Sequence, residues 1–153
     1  MPSLSIHAGG LDLNNPVLLA AGILGTTGAS LCRAAQAGAG GVVTKSVGSV
    51  PREGHPGPTI VHVECGLLNA MGLPNPSYKD FQDEIETARA GGVPVIASIF
   101  GSSATEFAQI ARSLKADAFE LNLSCPHAEN YGSELGRYPD LVESVTGAVK
   151  AAA

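Results

Sequence analysis

Charge is scarce in this sequence. Asp, Glu, Lys and Arg make up 15% of the 153 residues and leave a net charge of −5, so the chain has no basic stripe of the kind a phosphate backbone demands. Nucleic acid is therefore not an expected partner. Long hydrophobic runs are missing as well. None approaches the roughly 20 apolar residues of a membrane span, and Met1 to Gly10 holds no cationic stretch followed by an apolar core. The expectation is a soluble, cytoplasmic chain without membrane contact. Cysteine is sparse: Cys32, Cys65 and Cys125 stand far apart, with no Cys-x-x-Cys pair and no histidine spaced for zinc. Neither a disulfide framework nor a metal site is expected from that pattern. Cys32 and Cys65 read as small buried hydrophobes, the usual state of a free thiol.

What the sequence does have is punctuation. Nineteen glycines and ten prolines fall between apolar runs without forming a low-complexity tract. Leu4 to Leu13 reads as a β-hairpin turning at Gly9-Gly10. Short apolar strands then alternate with helical patterns. The strands are Val17 to Gly22, Gly41 to Lys45, Pro94 to Phe100 and Ala118 to Ser124. The first helix, Ala29 to Ala37, stops at Gly38, and the second runs from Ser77 to Ala90, with Tyr78, Phe81, Ile85 and Ala88 near helical spacing. The third begins at Ser103-Ala104-Thr105-Glu106, which has capping-box spacing, and carries a stripe of Phe107, Ile110, Ala111 and Leu114. The fourth starts at Pro139 and continues through Leu141, Val142, Val145 and Val149. Residues Ser46 to Pro76 read as a long irregular connection. Continuously apolar strands separated by amphipathic helices imply a parallel sheet covered by helices. Both an open doubly wound sheet and part of a (β/α)8 barrel satisfy this pattern. A whole barrel takes about 250 residues, so four βα units would be half of one, with strand edges that need pairing.

In either architecture ligands bind at the carboxyl ends of the strands. The residues there are Ala21-Gly22, Thr44-Lys45-Ser46, Ala97-Ser98 and Asn122-Leu123-Ser124-Cys125. Lys45 is either a surface lysine keeping its ammonium in water or a fixed cation for an anionic ligand. Asn122 either caps its own loop or recognises a ligand that offers both a donor and an acceptor. Glu120, inside the same strand, needs a partner if it is buried. The loop Leu67 to Tyr78, "LLNAMGLPNPSY", reads as ordinary turns by composition. Its position after the strand ending in Lys45, in a connection far longer than the usual 2 to 6 or so residues, favours a loop that covers a site.

"NPVLLAAGILG", "VVTKSVGSVPREGHPGPTIV", "NAMGLPNPSY", "PVIASIFG" and "ELNLSCPH" occur in an order and spacing that resemble the class 1 dihydroorotate dehydrogenases, nearest the class 1B, NAD-linked branch. The resemblance implies an α/β fold of the (β/α)8 TIM barrel family. Residues 1–153 would be a single domain, the N-terminal half of an FMN-binding barrel with about four βα units preceded by the hairpin. It implies FMN-dependent oxidation of dihydroorotate to orotate in pyrimidine synthesis, with Cys125 as the general base. A thiol suits that task because its ordinary pKa, about 8.5, can be drawn toward operating pH by a nearby cation. By the same resemblance Lys45, Asn69, Ala70, Met71, Gly72, Leu73 and Asn122 hold the substrate, and Ala21, Lys45, Ser46, Ser98 and Asn122 lie against FMN. The implied partners are an iron–sulfur and FAD electron-transfer subunit and further copies of the chain in a homo-oligomer. The chain departs from the pattern at His127, where the bacterial enzymes usually carry a substrate-contacting Asn. That Cys-Pro-His version also resembles the pyrimidine-reducing domain of dihydropyrimidine dehydrogenases, which implies uracil or thymine reduction as the alternative. The family's glycine-rich phosphate site belongs to later strands, beyond Ala153, so a non-catalytic half-barrel is the third reading.

Overall fold

The computed structural model describes residues 3–124 and 135–153. Strands β1 (Ile6–Ala8) and β2 (Leu11–Leu13) form an antiparallel hairpin in which Ile6 faces Leu13 and Ala8 faces Leu11. Gly9 and Gly10 both have positive φ, 59° and 84°, which a type I′ hairpin turn requires of its two central residues. The expected turn is therefore correct.

The sheet that follows is parallel and has the order β3 (Leu18–Leu19), β4 (Gly41–Val43), β7 (Val95–Ile99), β8 (Ala118–Leu121). Strand order follows chain order without a reversal, whereas a doubly wound sheet must reverse at a switch point. Helices α1 (Gly28–Gln36), α2 (Gln82–Arg89) and α3 (Ala104–Ser113) make the crossovers, and α4 (Pro139–Ala152) follows β8. Alternation along the strands sends Val42, Val95, Ala97, Ile99, Phe119 and Leu121 toward the helices, where they join one continuous core with Leu31, Phe81, Ile85, Phe107, Ile110 and Val145. The opposite face carries Val43, Ile96, Ser98 and Glu120. A parallel sheet in chain order with its helices on one face is the arrangement of a (β/α)8 barrel wall.

Each helix has a local reason to begin. Thr27 accepts the Ser30 N–H at 3.3 Å at the start of α1, Ser103 accepts the Glu106 N–H at 3.3 Å at the start of α3, and Pro139 occupies the first turn of α4. The stripe Phe107, Ile110, Ala111 and Leu114 is buried as its spacing predicts, each large side chain contributing about 1.5–3 kcal/mol. The second helical segment differs in form, being a 3-10 turn at Tyr78–Asp80 leading into α2, yet Tyr78, Phe81, Ile85 and Ala88 are all buried. The connection Ser46 to Pro76 is not irregular throughout. It contains a second antiparallel hairpin, β5 (Ile60–Val63) and β6 (Gly66–Asn69), joined at Glu64-Cys65. Cys65 is consequently exposed at a hairpin turn, not buried, while Cys32 on α1 is partly buried. Glu120 is exposed too, because nothing among the described residues covers that face of the last strand, so the partner expected of a buried carboxylate is not required. No helix among the described residues is long and apolar enough to cross a membrane.

Side-chain clamps fix the loops at the carboxyl ends. The Glu106 carboxylate accepts from the Ser102 N–H and hydroxyl, both at 2.8 Å, and from the Ser49 hydroxyl, joining the loops after β4 and β7. Burial pushes this carboxyl up, but the hydrogen bonds from Ser102 and Ser49 prevail and hold it below its ordinary 4.5. Gly25, just before α1, lies against the end of β4. A Cβ there would stand 2.6 Å from Lys45 N and 2.7 Å from the Val43 carbonyl.

Gly25→Ala is expected to cost at least about 1–3 kcal/mol, since its neighbours are backbone atoms that cannot rotate aside; denaturant unfolding measures the change. Because the folded Glu106 carboxyl is depressed, its stabilisation is fully present above the ordinary value and is lost as pH falls through the folded one. Glu106→Gln should therefore be less stable than the native protein at neutral pH. The gap should narrow below pH 4.5 in melting curves run across the acid range.

Candidate functional site

A cavity of about 480 Å³ opens at the carboxyl ends of the parallel strands, within the usual size range for small-molecule sites. Ala21, Gly22 and Ile23 line it after β3, Lys45 after β4, and Asn122 and Ser124 after β8. The remaining wall is Ile60, Leu67 and Asn69 of the second hairpin with Met71, Gly72 and Leu73 beyond it. Register explains the hairpin's part: Ile60 pairs with Asn69, and Leu67 lies two residues from Asn69, so all three project from one face. An adjoining cavity of about 350 Å³ shares Ala21, Gly22, Lys45, Leu73, Asn122 and Ser124 and adds Ser46, Glu120 and Leu121.

Lys45 is only 8% exposed, so it is not a lysine with its head in bulk water. Its placement comes from an irregularity in the sheet. The Thr44 N–H donates to the Ile96 carbonyl at 2.9 Å, and the next link from this strand is the Val47 N–H to the Ser98 carbonyl at 3.0 Å. One strand advances three residues while the other advances two. The extra residue is a β-bulge, a device that turns side chains out of the regular alternation and recurs beside active sites. Val47 then rejoins the sheet, bridging Ile99 in parallel.

A chain of polar groups runs behind the bulge. Ser98 is fully buried and its hydroxyl lies 2.8 Å from that of Ser46. The Asn122 side-chain N–H donates to Ser46 Oγ at 3.2 Å, and Asn122 Oδ1 accepts the Ser124 N–H at 3.4 Å. Asn122 thus serves its own loop and reaches the cavity at once. Ser98 does not line the cavity; it backs Ser46. Ala70 does not line it either, and its N–H is committed to the Thr59 carbonyl at 2.9 Å. Asn69 faces the cavity, whereas Asn75 is buried and holds the loop together. It accepts from the Gly48 and Ser77 N–H groups at 3.2 and 2.9 Å and donates to the Leu73 carbonyl at 2.9 Å. That last bond restrains Leu73, whose φ of 56° is unusual for a branched residue. From sequence Thr44 stood only among the strand-end residues and Asn75 only within the loop motif, and the second hairpin was not singled out as a builder of the site. The only hint was the length of the connection. Cys125 and His127 lie outside the described residues.

The dihydroorotate dehydrogenase family model matches residues 3–153. The chain is 59% identical over 150 residues to the catalytic subunit of dihydroorotate dehydrogenase B (NAD(+)) from Methanocella arvoryzae, covering 97% of this chain and 50% of that one. The subunit of the same name from Methanosarcina mazei is 61% identical over 146 residues (92% of this chain, 46% of the relative), and that from Pyrococcus furiosus 52% over 150 residues (97% and 50%). The crystal structure of DHODH in complex with ferulenol from Eimeria tenella superposes with a TM-score of 0.79 at 19% identity, covering 99% of this chain and 46% of that one, and so shares the fold. The chain spans about half the length of the curated relatives it matches. With the barrel wall, the strand-end cavity and this similarity in agreement, the chain belongs to the dihydroorotate dehydrogenase family.

Proposed function

We propose that residues 1–153 form the N-terminal part of an FMN-binding barrel that oxidises dihydroorotate to orotate. The observation that carries this reading is the meeting of Lys45, Asn69 and Asn122, from three separate chain segments, in one strand-end cavity. Orotate is a carboxylate on a ring with amide-like N–H and C=O groups. One ammonium and two carboxamides supply a cation together with donors and acceptors at a matching scale. Met71, Gly72 and Leu73 complete the wall on the substrate side.

The same rim suits a flavin ring. Ala21 and Gly22 leave the end of β3 without bulk, the Ser46 hydroxyl offers a donor or acceptor to a heteroatom edge, and Lys45 gives a cation where negative charge would gather. FMN, when bound, supplies the hydride acceptor. Lys45 and Asn122, which border both cavities, orient substrate and cofactor together, and Ser98 steadies Ser46 from behind. Cys125 follows Ser124 directly in the chain, and its Sγ takes the proton from the ring carbon beside the substrate carbonyl. His127 stands where the usual pattern has a substrate-contacting Asn. The relatives' names describe a catalytic subunit of an NAD-linked enzyme. On that ground we extend the reading to an iron–sulfur and FAD electron-transfer subunit as partner; a cytoplasmic homo-oligomer is the remaining part of the proposal.

The purified protein is expected to carry yellow flavin absorbance that bleaches with dihydroorotate and not with dihydrouracil. Colour that persists with dihydroorotate removes that substrate. Cys125→Ser should lower turnover at neutral pH by about 100-fold or more and recover in part as pH rises, because a hydroxyl yields its proton less readily than a thiol. A pH–rate profile tests this, and unchanged turnover at pH 7 takes Cys125 out of the mechanism.

A further inference from the structure

The bulge between β4 and β7 creates a hydrogen-bonding problem that a single hydroxyl solves. In an unbroken parallel ladder the Ser98 N–H would donate to the Thr44 carbonyl. It donates instead to Thr44 Oγ1 at 3.0 Å, and the Thr44 hydroxyl donates onward to the Lys45 carbonyl at 3.1 Å. Thr44 is fully buried, so water cannot take over either bond. The side chain stands in for one missing ladder link and holds the first carbonyl of the displaced segment. We propose that Thr44 is a positioning residue whose hydroxyl locks the bulge and thereby aims Lys45 and Ser46 into the cavity.

The alternative state is definite. Without the hydroxyl, the bulged register leaves the buried Ser98 N–H without its acceptor, and the strand is drawn back and forth between that unsatisfied state and a ladder closed onto the Thr44 carbonyl. Closure removes the offset that turns Lys45 and Ser46 from the regular alternation. The Ser46 contacts to Ser98 and Asn122 depend on the same offset. Thr44 lines neither cavity, and its hydroxyl meets the site only at the Lys45 carbonyl, so its effect on binding passes through the backbone of its neighbour.

This inference rests on the dihydroorotate reading for its ligand readout alone. The test compares Thr44→Val, which keeps the shape and loses the hydroxyl, with Thr44→Ser, which keeps the hydroxyl and loses the methyl. Titration of the flavin-loaded protein with orotate, followed by the flavin absorbance shift, gives the affinity. Amide hydrogen exchange over residues 95–100 reports the Ser98 bond without any ligand. Thr44→Val is expected to weaken orotate binding by about tenfold or more and to accelerate exchange by a similar factor, the consequence of a buried donor losing its acceptor. Thr44→Ser should stay close to the native protein in both. Ile110→Val in the α3 core serves as a control for general destabilisation and should leave the orotate affinity unchanged. The proposal is overturned if Thr44→Val binds and exchanges like the native protein, or if Thr44→Ser is impaired as severely as Thr44→Val. Should Thr44→Val fail to fold, Thr44→Ala against Thr44→Ser isolates the hydroxyl in the same way. If the native protein's flavin does not respond to orotate, the substrate reading falls, while the exchange contrast still decides the role of Thr44.

Discussion

One residue too many in β4, measured against β7, governs the chemistry available to this fold. A regular parallel pair would continue its alternation past Thr44 and present Lys45 and Ser46 on faces fixed by the pleat. The bulge breaks that rule at the carboxyl end, where ligands of such sheets bind. An ammonium therefore comes to rest almost buried, beside the amide of Asn122 and the hairpin wall, without β4 leaving the sheet. The strand resumes at Val47, so the displacement is confined to the residues that use it.

The surrounding structure keeps the displaced residues from relaxing. Gly25 packs its backbone against Lys45 from the β3 side, leaving no room for a side chain between them. Glu106 ties the loop after β4 to the loop after β7, and Asn75 ties the loop after β4 to the turn at Leu73. These contacts come from the core helices and loops, so the rigidity of the helix layer reaches the cavity through a few short polar links. A binding constellation supported in this way loses little entropy when a ligand arrives.

Much of this was legible in the sequence because it follows from periodicity and end signals. The α3 stripe, the Ser103 and Pro139 starts, the glycine stop of α1 and the polar strand ends announced four βα units and the rim on which a site would lie. The second hairpin was not legible, since its residues are largely exposed on both faces and Pro and Gly surround it, so no alternation marked it as strand. The exposure of Cys65 followed from that omission. The bulge was hidden for a different reason. It is a property of two strands 54 positions apart, and Thr44 by itself looks like any β-branched residue in a strand. Ser98 was placed correctly at a strand end, but sequence could not say that its hydroxyl would be buried behind that of Ser46.

The hydroxyl link between Thr44 and Ser98 also has a meaning in time. Its two ends are separated by the second hairpin, α2 and the start of β7, all of which must reach near-native positions before the link can close. Hairpins and helices form quickly from nearby residues, whereas parallel pairing over such a span is slow to close. A nascent or partly unfolded chain can thus possess its helices and both hairpins and still have no binding site. Ligand affinity reports completion of the long-range sheet, which makes it a stricter indicator of the native state than helical content.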